Sequence, residues 1–219
     1  MKKSKISPAV IRRLPKYYRA LTELSEIRIS RISSKQLGKL TGFNPSQIRQ
    51  DLNSFGGFGQ QGYGYNVKNL KENMERILNI FTNKSMVLIG VGNLGKAILQ
   101  YAEFSENGFH VRAAFDRDPN KIGTKIDGVR VRDIDDLAEY LKENKTDIAI
   151  LTIHKDVAQR YATICTDHGV RGIWNFAPKK LKVPEEVIVE NVWLNESLYT
   201  LSYFLEDEWE DETESEEKE

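Results

Sequence analysis

The sequence predicts an α/β protein in which a basic, helix-rich N-terminal block precedes a domain built on a parallel sheet. Charge is the first observation: residues 1–80 carry 15 Lys and Arg against 5 Asp and Glu, whereas the remainder carries 17 against 27. The second is a glycine-rich stretch that closes the basic block. The third is an alternation of short apolar runs with helical periods over residues 83–192. A net charge of +10 on one part favours a polyanionic partner, with a solvated basic face as the alternative.

The composition predicts a soluble, cytoplasmic protein without a membrane partner. Of 219 residues, 40% are hydrophobic and 29% are charged, which is ordinary for a globular chain. The longest apolar run, around Met86 to Gly90, is too short to span a bilayer, and the N-terminal lysines are not followed by the apolar stretch of a secretory signal. A single cysteine, Cys165, excludes an internal disulfide framework and fits a reducing compartment.

The basic block opens with helix signals. Ser7 and Pro8 form a typical start pair for a first helix. Pro15 is expected to end that helix, because a proline removes a backbone donor and crowds the preceding turn. A second helix is therefore expected to begin near Pro15.

Two further helices form a helix-turn-helix pattern. One starts at Ser33 or Ser34 and stops at Gly42, and the next begins with Asn44 as its cap and Pro45 in its first turn. Two helices joined by a tight turn that contains glycine are the layout of a DNA-reading motif, whose second helix enters the major groove.

The second helix of this pattern has one apolar face and several polar positions. Ile48, Leu52 and Phe55 face one way. Arg49 can chelate guanine, and a glutamine can chelate adenine. The residues expected to reach bases or phosphates on this helix are Ser46, Gln47, Arg49 and Gln50.

After the helix, FGGFGQQGYGYNV contains five glycines inside ten residues. Glycine at this density permits a tight hairpin, which would form a wing beside the recognition helix. The alternative, a phosphate-cradling loop, lacks the lysine and serine or threonine that end a Walker A motif. We therefore expect a winged helix-turn-helix DNA-binding domain at residues 1–82, with further DNA contacts from Arg13, Lys16, Gln60, Gln61 and Tyr63.

The segment SMVLIGVGNLGKAILQYAEF carries the sharpest motif in the chain. A buried strand is followed by Gly90-x-Gly92-x-x-Gly95, which opens a helix expected to run through Ala97, Ile98 and Tyr101. Glycines at this spacing let the backbone approach a pyrophosphate at the start of a helix. The alternative is that they only turn a strand into a helix.

A second strand, VRAAFD, ends at Asp116, which lies 21 residues after Gly95. An acid at this distance is expected to bind the adenosine ribose and to favour NAD over NADP. We therefore predict a Rossmann dinucleotide-binding domain at residues 83–192. The residues expected to bind NAD(H) are Gly90, Val91, Gly92, Asn93, Leu94, Gly95, Asp116, Arg117 and Lys121, although Arg117 and Lys121 could equally be solvated charges.

Two more strands are predicted, DIAILT at 147–152 and GIWNF at 172–176, and a third at 187–192 could instead be a surface-crossing segment. Ligands sit at the carboxyl ends of such strands, so Thr152, Ile153 and His154 are expected beside the nicotinamide. His154 is the histidine placed to act as a catalytic acid or base, but little chain is left for a substrate domain. We predict no catalytic residue, no metal and no enzymatic activity. The chain is expected to close with an amphipathic helix at 193–208 and an acidic, disordered tail at 209–219.

The chain as a whole resembles the Rex family of redox-sensing transcriptional repressors. The matching stretches run from about residue 6 to 205 and are RRLPKYYR, QIRQDLNSFGGFGQQGYGYNV, LIGVGNLGKA, FDRDPNKIG, GIWNFAPKKLKVP and LSYFL. The resemblance implies a homodimer in which a domain-swapped C-terminal helix inserts between the two domains of the partner. It also implies binding to double-stranded operator DNA at a pseudo-palindrome, with release when NADH rather than NAD⁺ occupies the nucleotide site.

One departure from the family concerns a polar latch between its two states. In the family an aspartate before the C-terminal helix pairs with an arginine near the N-terminus and with a tyrosine on the first Rossmann helix. This chain has Arg13 and Tyr101 at those places, but Trp193 stands where the aspartate is usual. The latch predicted from the resemblance therefore lacks one arm.

Two other departures affect the nucleotide and DNA sites. The family strand ends in T-V-P where this chain has residues 152–154 as T-I-H, and the family wing carries lysine or arginine where Gln60 and Gln61 stand. The predicted function is a repressor that senses the balance of NADH and NAD⁺, with NADH favouring release from DNA. The alternatives are a Rex paralogue with a weak or absent response to NADH, and an NAD-dependent oxidoreductase fused to a DNA-binding module.

Overall fold

The computed structural model describes residues 6–60 and 63–205. Contacts divide the chain into two compact units, one ending at Thr82 and the other beginning at Asn83. The described residues of the N-terminal unit form four helices: α1 (Pro8–Glu26), α2 (Ser34–Thr41), α3 (Pro45–Asn53) and α4 (Val67–Leu78). Three short strands, β1 (Arg31–Ile32), β2 (Gly59–Gln60) and β3 (Gly64–Asn66), form an antiparallel sheet in the order β1-β3-β2.

The first helix does not end at Pro15, so that prediction was wrong. α1 continues to Glu26, and the proline lies inside it. The loss of one backbone hydrogen bond is offset by burial on both sides of Pro15, because Leu14, Tyr17 and Leu21 are fully buried. Tertiary packing therefore overrides the local helix-breaking signal.

The helices of the predicted DNA-reading motif begin and end where their capping signals stand. The Ser33 hydroxyl accepts from the backbone of Gln36, whose side chain accepts in return from the backbone of Ser33. Gly42 ends α2 at φ +75°, a left-handed conformation that glycine adopts without steric cost. Asn44 caps α3, and Pro45 occupies its first turn. β2 and β3 then pair as the hairpin of a wing, with its tip at residues outside the described part.

The C-terminal unit is a doubly wound sheet. Its strands are β4 (Lys84–Ile89), β5 (Phe109–Asp116), β6 (Lys125–Ile126), β7 (Val129–Asp133), β8 (Ile148–Leu151), β9 (Gly172–Asn175) and β10 (Ile188–Asn191). Its helices are α5 (Asn93–Leu99), α6 (Glu103–Glu106), α7 (Leu137–Glu143) and α8 (Lys155–Asp167). The strand order is β10-β9-β8-β4-β5-β7-β6, and every pairing is parallel except that of β6 with β7.

This strand order places the switch point of the topology between β4 and β8. The chain leaves β4 towards β5 and β7 and then crosses to β8 on the other side. A crevice forms at the carboxyl ends of strands at such a point, and ligands of open α/β sheets bind there. The edge strand β10 pairs with β9, so the segment at 187–192 contains a strand rather than a surface crossing.

The two faces of the sheet are covered unequally. Side chains of α7 and α8 pack on one face, together with Val87 and Ile89 of β4. Those of α5 and α6 pack on the other face, over Met86 and Leu88. On this second face an apolar groove of about 320 Å³ is lined by Ile148, Trp174 and Ile188 and, from α6, by Phe104.

Residues 196–205 form a further helix, α9, which continues to the last described residue. Every residue of this helix is exposed, including Leu198, Leu201 and Phe204. Within residues 6–60 and 63–205, no helix combines the length and the hydropathy needed to cross a membrane.

Candidate nucleic-acid and nucleotide sites

The recognition helix α3 presents polar side chains on its exposed side and buries its apolar face. Ile48 and Leu52 are buried, whereas Ser46, Arg49 and Gln50 are exposed. The Arg49 guanidinium donates a hydrogen bond to the Ser34 hydroxyl at 3.0 Å, which ties it to the start of α2. The predicted base-reading residues therefore lie together on one helix, with Gln47 half-buried beside them.

Asp51, which the sequence analysis did not single out, organises the inner side of the same helix. Its carboxylate is fully buried and accepts two hydrogen bonds from the Arg13 guanidinium, at 2.6 and 2.8 Å. It also accepts from the Tyr17 hydroxyl and from the side-chain amide of Gln47, both at 2.8 Å. Arg13, predicted to contact DNA and to serve as a latch, is thus held in an ion pair inside its own unit. The signal for this cluster is an acidic residue at a helix position between the buried Ile48 and Leu52, since such a charge needs partners.

The pKa values of this cluster follow from its contacts. Burial raises the pKa of Asp51, but the hydrogen bonds from Arg13, Tyr17 and Gln47 outweigh burial, and the pKa lies below the ordinary value of 3.8. The hydrogen bond to Asp51 raises the pKa of Arg13, and burial raises the pKa of the Tyr17 hydroxyl. Asp51 is therefore ionised, and Tyr17 neutral, throughout the physiological range.

We expect the contribution of Asp51 to stability to be lost in acid. A carboxyl whose folded pKa is depressed stabilises the protein above its unfolded pKa, and this contribution disappears as the pH falls through the folded pKa. The free energy of unfolding of the wild type should exceed that of Asp51→Asn at neutral pH. The difference should begin to narrow as the pH falls below about 5 and should continue to narrow as the pH falls through the folded pKa of Asp51. Urea unfolding at several pH values measures it. Glu23→Gln, at an exposed carboxyl of α1, is the control and should leave the stability close to wild type at each pH. A difference for Asp51→Asn that stays constant with pH would contradict this assignment.

The remaining predicted DNA contacts lie on α1 and on the wing. Lys16 is exposed, with its ammonium 5.3 Å from the centroid of the Phe43 ring. Tyr63 is exposed at the start of the second wing segment, and Arg31 donates to its carbonyl oxygen at 3.3 Å. Gln60 lies in β2. Gln61 is outside the described residues.

The glycine loop between β4 and α5 uses its three glycines for different reasons. Gly90 has φ +96°, and a Cβ there would meet the Thr152 carbonyl at 2.6 Å. A Cβ at Gly95 would collide with the Gly90 carbonyl oxygen, so this glycine allows α5 to pack against the loop. At Gly92, by contrast, φ is an ordinary −81°, and no other described part of the chain beyond its immediate neighbours and its own helix comes within 4 Å of the Cβ position. The fold itself does not require glycine there, which fits a ligand that approaches the backbone closely.

Asp116 ends β5 beside this loop and is only 8% exposed. One carboxylate oxygen accepts from the backbone N–H of Val91 at 2.6 Å and from the Lys121 ammonium at 3.1 Å, and the other accepts from the backbone of Asp118. Burial raises the pKa of Asp116, but these hydrogen bonds outweigh burial and leave the pKa below its ordinary value. The acid therefore pins the glycine loop, and Lys121 is its ion-pair partner rather than a solvated charge. Arg117 beside it is exposed.

The nicotinamide-side residues predicted from the sequence lie at the carboxyl end of β8. The Thr152 hydroxyl donates to the Gly90 carbonyl oxygen at 2.6 Å, and Ile153 lies against Gly90. His154 is exposed, with its Nδ1 3.0 Å from the Asp156 carboxylate. Asn93 and Leu94, in the first turn of α5, are exposed. The structure thus brings the loop after β8 against the glycine loop.

The predicted latch residues of the C-terminal unit occupy different settings. α5 ends at Leu99, so Tyr101 lies beyond the helix on which it was expected. The Tyr101 ring is 4.8 Å from that of Phe104, and Phe104 is 5.6 Å from Trp174, which lines the apolar groove. Trp193 is half-buried just before α9.

A helix-turn-helix with a glycine hairpin, joined to a doubly wound sheet with a GxGxxG loop, defines a class of protein: a DNA-binding regulator with a dinucleotide-type domain. Family models agree with both parts. Residues 5–53 match the model described as a putative DNA-binding protein N-terminus, and residues 81–179 match the CoA binding domain.

Relatives and solved structures identify the particular family. The redox-sensing transcriptional repressor Rex of Clostridium acetobutylicum is 52% identical over 206 residues, covering 94% of this chain and 96% of that protein. The Rex of Clostridium tetani is 50% identical, covering 94% and 98%. The structure of RSP, a Rex-family repressor, in complex with β-NAD⁺ and operator DNA matches with a TM-score of 0.87 at 48% identity, covering 96% of this chain and 97% of that one. RSP in complex with β-NADH matches with a TM-score of 0.89 at 45% identity, covering 96% and 99%.

The chain therefore belongs to the Rex family of redox-sensing transcriptional repressors. The predicted family and the predicted fold class, a winged DNA-binding domain joined to a Rossmann domain, are confirmed. The relatives are named as repressors and not as enzymes, which agrees with the prediction of no enzymatic activity.

Proposed function

We propose that this chain is a transcriptional repressor that binds operator DNA as a homodimer and senses the balance of NADH and NAD⁺. The observation that carries the proposal is the open backbone at Gly92, in a chain that also presents an exposed recognition helix. RSP, which matches both units, has been captured with NAD⁺ and operator DNA and with NADH.

The N-terminal unit, residues 1–82, supplies the DNA contacts. Arg49 and Gln50 project from the exposed side of α3, where a recognition helix meets base edges. Lys16 and the wing residues would contact phosphates, which set affinity but carry no sequence information. Arg13 acts indirectly, because its guanidinium is committed to Asp51.

The C-terminal unit, residues 83–192, supplies the nucleotide site. Gly90 to Gly95 would face the pyrophosphate, with Gly92 allowing its close approach. The buried, ionised Asp116 disfavours a 2′-phosphate, so NADH should bind in preference to NADPH. Thr152 to His154 would lie beside the nicotinamide, where bound NADH differs from NAD⁺ in charge and ring shape. Burial raises the pKa of the Cys165 thiol to about 12, which leaves it unsuited to read redox state directly.

The predicted dimerisation helix at 193–208 would act through its described part, α9, whereas residues 206–219, with the predicted tail at 209–219, lie outside the described residues. α9 exposes Leu198, Leu201 and Leu205 on one side, and a second copy would cover this surface and so remove it from water. A dimer presents two copies of α3 to a pseudo-palindromic operator. Such a repressor works in the cytoplasm, where bacterial DNA lies.

The experiment is a titration of the full chain with its operator at fixed salt, alone and with saturating NAD⁺ or NADH. We expect NADH to weaken operator binding about 5- to 150-fold, the usual range of coupling between two sites, and NAD⁺ to preserve it. Equal affinity under all three conditions would refute the sensing function. It would instead favour the nucleotide-insensitive paralogue, which the comparisons do not favour.

A further inference from the structure

The carboxylate of Asp51 lies on the buried side of the recognition helix α3 and accepts four hydrogen bonds. Arg13 contributes two of them, Tyr17 one and Gln47 one, at 2.6 to 2.8 Å. Two carboxylate oxygens offer about four acceptor sites, so the shell around Asp51 is full. Arg13 and Tyr17 belong to α1, whereas Gln47 lies one turn before Asp51 on α3.

This contact decides which end of the Gln47 amide faces the DNA side. An ionised carboxylate only accepts hydrogen bonds, so the amide nitrogen must face Asp51 and the amide oxygen must face away from it. A glutamine without such a contact can rotate and offer either a donor or an acceptor to a base. Gln50 is of that kind, since it is exposed and its side-chain amide makes no hydrogen bond within the described residues.

We propose that Asp51 is a positioning residue that holds the Gln47 amide with its oxygen free to accept a hydrogen bond, so that position 47 selects a base whose exocyclic amino group lies in the major groove. In the major groove adenine and cytosine present an amino donor, whereas guanine and thymine present carbonyl oxygens. The locked amide oxygen is attracted by the first pair and repelled by the second. This inference rests on the proposed function, because it requires α3 to read an operator.

Replacing Asp51 with asparagine should release the lock. An asparagine side chain can donate as well as accept, so Gln47 would rotate to suit whichever base it meets. The preference for adenine or cytosine over guanine or thymine at one base pair in each half-site should fall from about tenfold towards equality. A role confined to folding would instead weaken binding to all sequences alike.

The test selects binding sites from a random double-stranded library with the full chain and then measures Kd for single-base variants of the selected site at fixed salt. Wild type, Asp51→Asn and Gln47→Ala are compared. Tyr17→Phe is the matched control because it removes one donor from the same carboxylate without removing the contact of Gln47. We expect Asp51→Asn and Gln47→Ala to lose discrimination at the same base pair, and Tyr17→Phe to keep it.

The outcomes separate this inference from the proposed function. If the wild type enriches no sequence, the proposed function fails. If it enriches a palindrome whose base preferences are the same in Gln47→Ala or in a folded Asp51→Asn, the positioning role is overturned. Hydrogen exchange of the Gln47 side-chain amide, followed by NMR in the free wild type, tests the hydrogen bond to Asp51 without any variant. The amide of Gln47 should exchange more slowly than the amide of Gln50, and equal exchange rates would also overturn the proposal.

Discussion

Gly92→Ala should weaken NADH binding about 10- to 100-fold, because a Cβ there would occupy the space through which the pyrophosphate approaches the backbone. The same substitution should leave the free energy of unfolding near wild type. Its φ of −81° suits alanine, and beyond the neighbouring residues and its own helix no described atom lies within 4 Å of the new carbon. Isothermal titration with NADH and thermal unfolding without nucleotide measure the two effects. In the presence of NADH, the variant should therefore remain bound to operator DNA.

Gly95→Ala is the matched control within the same loop. The new Cβ would collide with the Gly90 carbonyl oxygen, so this variant should lower the melting temperature as well as nucleotide affinity. The contrast between the two glycines distinguishes a ligand-facing position from a packing position. Undiminished NADH affinity in Gly92→Ala would show that the nucleotide does not sit on this loop.

Local sequence signals were sufficient to predict those parts of the fold whose structure depends on residues close together in the sequence. The capping box at Ser33, the left-handed Gly42 and the Asn44-Pro45 start of α3 each involve residues within four positions of one another. The GxGxxG loop was predictable for the same reason, because the positive φ at Gly90 and the close packing at Gly95 are requirements of residues only five positions apart. The family resemblance then joined these pieces into one architecture.

The features missed by the sequence analysis depend on contacts between distant positions. Pro15 is tolerated because residues on either side of it are buried against other elements, which its own helix signals do not show. The Asp51 cluster joins Asp51 to Tyr17 and Arg13, which lie 34 and 38 positions before it in the sequence. Asp116 was expected as a ribose ligand, but its contact with Val91, 25 positions away, shows a second role in holding the glycine loop. Sequence patterns identify candidate functional residues, whereas the hydrogen-bond and ion-pair partners of those residues are determined by how distant elements pack together.

Leu198→Asp should convert the proposed dimer to a monomer and lower operator affinity about 100-fold or more. Leu198, Leu201 and Leu205 recur at intervals of three and four residues, so they form one exposed apolar stripe along α9. A buried, unpaired carboxylate in this stripe would oppose association. A monomer contacts one half-site at a time, and it loses the gain of about 10²- to 10⁴-fold that linked binding sites provide.

Analytical ultracentrifugation and operator titration measure the two effects on the same sample. Thr200→Asp adds the same charge on the opposite side of α9, two residues from Leu198, and should leave the dimer intact. If Leu198→Asp became monomeric but kept wild-type affinity, one winged-helix unit would suffice for operator binding. Because affinity and assembly are measured separately, the experiment decides whether α9 contributes to repression through dimerisation alone or through contacts that position the DNA-binding units.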